Sequence, residues 1–234
     1  MAYTAEIFTS TIVALGNFNP AIFSPDWLEQ SGLIGADDAA GIREGADGNQ
    51  LVLSRQVTTC ESTWFSLQVL QDRFTVASKG VLSPAFKDLV VGILQLVPQT
   101  PITAVGLNFL AHFKLPSKEQ YFQVGDVLAP KDIWRDLFPD EMPGLGELTI
   151  RVQQGTREDP APTRDEKRIS IQQSNLIKLG IVLSYNDHHD VTVPTDPILR
   201  PAERVADIID SDWESAWKDA VRVFDGVLTA AQGT

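Results

Sequence analysis

A tetrapeptide in the first half of the chain, Ala85-Phe86-Lys87-Asp88, has a near copy towards the C-terminus, Ala216-Trp217-Lys218-Asp219. Each lies in a run with helical periodicity. Each also closes a block that began with a strand-like run containing Asn-Phe, at Asn17-Phe18 and at Asn108-Phe109. Pro25 and Pro116 lie equally far beyond those dipeptides. A chain that repeats its punctuation at this separation reads as two units of one supersecondary pattern, 1–99 and 100–234, packed into one structural domain.

Residues 5–15 are rich in β-branched and aromatic types and predict an opening strand. Ser24-Pro25-Asp26 then combines an N-cap, a first-position proline and a first-turn acid, which predicts a short helix ending before Gly32. Residues 35–49 contain four glycines among Ala and Asp and predict a surface loop. Strands are expected at 50–57, 61–70 and 73–78, with a hairpin turn at Gln71-Asp72. Ser83-Pro84 opens a helix with one apolar stripe of Phe86, Leu89, Val90, Ile93, Leu94 and Val97.

The second unit repeats the order, with a strand over 102–113 and a helix over 117–127. An insertion at 128–147, peculiar to this half, holds a short helical piece around 133–138. Strands are expected at 147–154, 168–173 and 176–185, and the charged stretch 155–167 reads as a mobile hairpin loop. A short helix at 201–209 and a longer one capped by Ser211 or Asp212 complete the chain.

The fold class is therefore α+β. Two strand–helix–three strands–helix units form one large antiparallel sheet with helices packed mainly on one face. In element order this topology is similar to duplicated folds of the TATA-binding-protein type.

Charge argues against nucleic acid. The chain carries 31 acids and 19 bases, a formal net charge of −12. The excess is shared, with 10 acids against 5 bases in 1–99 and 21 against 14 in 100–234. Phosphate backbones and anionic lipid both need clustered Lys and Arg, so neither is an expected partner. No apolar run approaches the ~20 residues that span a bilayer. The first residues lack the basic and apolar regions of a signal peptide, and one cysteine, Cys60, excludes an intrachain disulfide, so a cytoplasmic location is expected.

Chemistry-bearing patterns are sparse. Asp187-His188-His189-Asp190 holds two of the three histidines, and strand alternation would place Asp187 with His189, or His188 with Asp190, on one face. With His112 as a third ligand, His188, His189 and Asp190 are the candidate metal residues, against the plainer reading of a polar strand end. Cys60 has no neighbouring base and reads as structural. No catalytic residues and no cofactor site are assigned. Trp213 and Trp217 share a helical face, the geometry of a partner anchor or, more commonly, of a core stripe. Trp134 and Phe138 lie in the insertion, where the two units differ, and are the stronger partner-binding candidates.

The expected function is a non-enzymatic protein–protein interaction or adaptor role, as an accessory subunit of a multi-protein bacterial system. Another protein is the expected partner, and homo-oligomers fit the same reading. The alternatives are a small-ligand binder using the cleft between the units, and a metal-dependent hydrolase built on His188 and His189.

Overall fold

The computed structural model describes residues 4–45, 50–80, 83–156, 158, 165–191 and 200–231. The strands are β1 (Ile7–Gly16), β2 (Leu51–Leu53), β3 (Val57–Glu61), β4 (Phe65–Leu70), β5 (Arg73–Ser78), β6 (Ile102–Lys114), β7 (Glu147–Gln153), β8 (Glu166–Gln173) and β9 (Gly180–Asp190). The helices are α1 (Pro25–Gln30), α2 (Ala36–Glu44), α3 (Pro84–Leu96), α4 (Lys118–Leu128), α5 (Asp132–Leu137) and α6 (Pro201–Ala230). The strands make one sheet in the order β2-β3-β4-β5-β1-β6-β9-β8-β7, and all neighbours pair antiparallel.

β1 and β6 are the central pair, running from Ile7 opposite His112 to Gly16 opposite Ile102. Outward from this pair, each half places its last strand next to its first and then meanders to the edge. The sequence markers of duplication do not occupy matching places, however. Asn17-Phe18 follows the end of β1 while Asn108-Phe109 lies inside β6, and Ala216 is mid-helix where Ala85 begins one.

Alternate residues of the strands point to one face and form the core: Ile12 and Ala14 of β1, Phe74 and Val76 of β5, Phe65, Leu67 and Val69 of β4, Val105, Leu107, Phe109, Ala111 and Phe113 of β6, and Leu183 and Tyr185 of β9. Helices α3 and α6 cover them. α3 buries the expected stripe of Phe86, Leu89, Val90, Ile93 and Leu94, and its N-cap Ser83 accepts a hydrogen bond from the Ala85 amide. Trp213 of α6 packs between Phe86 of α3 and Phe109 of β6, at ring separations of 5.5 and 5.0 Å. Trp217 meets Phe8 and Phe109. Trp213 is buried in the core and Trp217 is half-buried against it.

Four elements differ from the sequence reading, each for a local reason. The stretch expected as a glycine-rich loop holds α2. Ala39 and Ile42 are buried there, Asp37 and Asp38 fill the first turn, and Gly45 ends the helix in the left-handed region at φ 64°. Arg43 ties it to α1 through Asp26 and through Glu29 at 3.1 Å.

The stretch 50–57 is two strands, because Ser54 turns the chain. Its hydroxyl accepts from the Gln56 and Val57 amides and its own amide bonds the Val57 carbonyl. Ser62 does the same between β3 and β4, bonding the Trp64 and Phe65 amides. Ser174 repeats the device before β9, which begins at Gly180 rather than at 176.

The two C-terminal helices are one helix of 30 residues. Ser211 does not cap a new helix. Its hydroxyl donates back to the Ile208 carbonyl at 3.2 Å, and the buried stripe Ile209, Trp213, Ala216, Ala220 runs on unbroken. The charged stretch 155–167 joins β7 to β8 as expected, but its residues 157 and 159–164 lie outside those described.

Candidate functional site

Helix α5 is positioned by one buried cation. Lys131 sits just before it, and its ammonium donates to the Gly125 carbonyl at 2.7 Å and to the Ala129 carbonyl, at the C-terminal end of α4. Lysine in this place satisfies carbonyls that a helix end leaves open. The bond fixes α5 against α4. No residue of α5 is buried.

That exposure is unusual because half of α5 is made of large apolar residues. Ile133, Leu137 and Met142 are 64%, 63% and 86% exposed, and Trp134 and Phe138 about half exposed. With spacings of four, Ile133 lies above Leu137 and Trp134 above Phe138. A cleft of about 430 Å³ runs between α5 and the following loop, lined by Ala129, Trp134, Phe138, Met142 and Leu145 among others. Its surroundings are acidic, with Asp126, Asp132, Asp136, Asp140 and Glu141 in the sequence around it. Arg135 pairs with Asp132 at 3.3 Å, and Lys131 is buried.

A second cluster lies where β8, β9 and α6 meet. Tyr185, Asp187 and His189 follow one another on the helix side of β9, and Lys167 of β8 lies opposite Asp187. α6 supplies Asp212 and Asp219. The Lys167 ammonium donates to Asp219 at 2.6 Å, the Tyr185 hydroxyl lies 3.5 Å from the same oxygen, and His189 Nε2 is 3.7 Å from Asp187.

Burial works against the Lys167 charge, but its bonds to Asp219 and Tyr185 and the nearby Asp187 outweigh it and raise its pKa. Burial, with the charge of Asp187, pushes the Tyr185 phenol up to about 12. Burial also raises Asp187, against the lowering charges of His189 and Lys167. The hydrogen bond from Lys167 lowers Asp219. The result is an ion-pair network, with Lys167 held as a cation and Asp219 as its anion.

Among the described residues, no helix covers the other face of the sheet. A trough of about 590 Å³ crosses its middle, lined from the first half by Val13, Leu15 and Arg73 and from the second by residues including Asn108, Arg168, Asn186 and His188. Asn186 donates to the Asn108 side chain at 2.6 Å, and Ser170 and Ser184 bond at 2.6 Å. Gly106 makes room for this pairing, since a Cβ there would lie 2.7 Å from Asn186 Nδ2. Glu166 is buried beside Arg168. Burial would raise its pKa, but the bond from Arg168 and the charges of Arg168, Arg151 and His188 lower it.

The strand alternation expected at 187–190 is present: Asp187 and His189 share the helix side, while His188 lies opposite Glu166 on the open side. His112 does not join them. Six register positions, about 20 Å of strand, separate it from Gly106, the residue facing His188. Its Nδ1 meets Ser174 Oγ at 2.8 Å, and burial lowers its pKa. Asp190 takes the Asp165 carboxylate on its backbone amide at 2.7 Å. Among the described residues no three His, Cys, Asp or Glu side chains are grouped to hold a metal ion. Cys60 is buried against the Phe23 carbonyl, and burial pushes its thiol up to about 12, which leaves it a poor nucleophile.

The sequence matches no protein-family model and no curated protein. No helix among the described residues is long and apolar enough to cross a membrane.

Trp134 and Phe138 are both on the exposed surface where sequence reasoning placed an interface. Ile133, Leu137 and Met142 escaped it, although a six-residue helix apolar on more than one side was the available signal. The Lys167–Asp219 network left no signal in sequence, because its members come from three elements.

Proposed function

We propose that the protein is a non-enzymatic adaptor that binds another protein through α5 and the loop that follows. The observation that carries this reading is the exposure of Ile133, Trp134, Leu137, Phe138 and Met142 within ten residues, with Trp134, Phe138 and Met142 lining a cleft. Contiguous exposed apolar surface rimmed by polar groups marks interaction sites, and half-exposed aromatics are the side chains that anchor them. The acidic surroundings suit a partner segment that is apolar at its centre and carries Lys or Arg at its rim. The setting that fits is an accessory subunit of a multi-protein bacterial system.

The test is native mass spectrometry of the protein purified gently from its host, as wild type and as the double variant Trp134→Ala, Phe138→Ala. A polypeptide bound to the wild type, weakened by salt and lost from the variant, is the expected result. Both substitutions are at the surface, so the variant should lose no more than about 1 kcal/mol of stability. An insoluble variant, or one that keeps the polypeptide, would sink the reading.

A second reading is supported by the trough on the open sheet face, where amides and hydroxyls of the second half face Val13, Leu15 and Arg73 of the first. It suits a small polar ligand. A small added mass in place of a polypeptide in the same measurement would move the assignment there.

A further inference from the structure

The two edges of the sheet are treated differently by the sequence. β2 is three residues long, too short to template a second sheet. β7 has seven residues, Glu-Leu-Thr-Ile-Arg-Val-Gln, without proline, glycine or lysine, and among the described residues it pairs only with β8. Its Leu148 and Ile150 lie opposite the buried Ile171 and Ile169, so Leu148, Ile150 and Val152 point to the helix side of the sheet. Leu148 packs against the core. Ile150 and Val152 are about half exposed.

The order of residues in β7 is self-complementary. A two-fold axis through Thr149 and normal to the sheet lays β7 antiparallel to its own copy. Glu147 then faces Arg151 of the second copy, and Arg151 faces its Glu147. On the other face Leu148 meets Ile150 of the second copy, twice. Thr149 faces itself, a pairing that forms hydrogen bonds across antiparallel strands. Shifting the axis to Arg151 would set two arginines opposite one another, and shifting it to Leu148 or Ile150 would break both Glu147–Arg151 pairs.

We infer that a second copy of this chain is the occupant of the β7 edge, so that two sheets continue into one across a Thr149-centred axis. This does not rest on the α5 reading, since it uses main-chain groups and the side chains of β7 alone. An interface built on one strand pair is small beside the ~2,000 Å² or more of a permanent complex, so the dimer exchanges with monomer and its population rises with concentration. Net charge opposes it, while the Glu147–Arg151 pairs act locally in its favour.

The experiment is sedimentation velocity over a concentration series on wild type, Arg151→Glu, and the double reversal Glu147→Arg, Arg151→Glu. The wild type should pass from 25.7 kDa to twice that mass as concentration rises. Arg151→Glu places Glu opposite Glu147 and should shift dissociation at least tenfold towards monomer. The double reversal restores opposite charges in both pairs and should recover the dimer. A general loss of folding would not be rescued by a second reversal. As a second measurement, Thr149→Cys should form an intermolecular disulfide, because paired residues in antiparallel strands bring their Cα atoms within disulfide range. Val152→Cys, opposite Gly146 of the second copy, should not. A monomer at every soluble concentration, a dimer untouched by Arg151→Glu, or a double reversal that fails to recover it would each overturn the inference. The Trp134→Ala, Phe138→Ala variant should keep the dimer, which separates a failure here from a failure of the α5 reading.

Discussion

Asp187 is the residue at which the fold works against itself. It is buried on β9 beneath α6, and burial raises its pKa although His189 and Lys167 favour its charge. A carboxyl with a raised folded pKa is ionised more readily in the unfolded chain. Its charge therefore costs stability at pH values above the folded pKa, and the cost disappears below the unfolded value. Asp187→Asn should raise the melting temperature at neutral pH, and the gain should shrink as pH falls through the acidic range. A variant less stable than wild type at neutral pH would mean that the carboxylate is needed to hold Lys167 or His189. Asp219 has the opposite sign. Its pKa is lowered, chiefly by the Lys167 hydrogen bond, so its contribution is present above the ordinary aspartate range and lost as acid protonates it.

Between residue and element, three serines set where strands stop. Ser54, Ser62 and Ser174 each offer a hydroxyl to amides two and three residues on, closing a turn that the β-branched sequence around them does not announce. Ser62 is the buried member. Ser62→Ala would leave the Trp64 and Phe65 amides short of an acceptor, and should cost about 1–3 kcal/mol in denaturant unfolding without moving the midpoint's slope. An unchanged midpoint would show that the backbone closes this turn unaided. Helix α5 has the reverse problem. It is held by Lys131 at its start while its own side chains bury nothing, which is why its apolar content is available to a partner.

At the scale of the whole molecule, α6 joins the halves on the helix side, as the β1–β6 pair joins them within the sheet. Its Trp213 packs at a tilt against Phe86 of the first half and Phe109 of the second, and its Lys218–Glu214 pair lies outward in solvent. Truncating Trp213 removes a large buried side chain at that junction. Trp213→Ala should cost about 3–5 kcal/mol and unfold both halves together in one transition. Separate transitions would mean that the two halves are independent folding units. The same scale explains the sheet's two faces: helices cover one, while the other exposes the Asn108–Asn186 pairing along a polar trough.

The chain alone made legible the α+β class, the antiparallel sheet, the helices gathered on one side and the apolar stripe of α3, because period-two and period-3.6 patterns follow from backbone geometry. It also placed Trp134 and Phe138 in an insertion that differs from the first half. Strand order, the single length of α6, the helical state of 36–44 and the burial of Trp213 were decided by packing. Propensity scores a residue against its neighbours in sequence, whereas these features depend on which side chains arrive from elsewhere. Ala39 and Ile42 make a helix of a glycine-rich stretch because α1 offers them a surface. The network of Lys167, Tyr185, Asp187 and Asp219 exists only because β8, β9 and α6 converge, and burial, which sets its charges, is a property of the assembled fold.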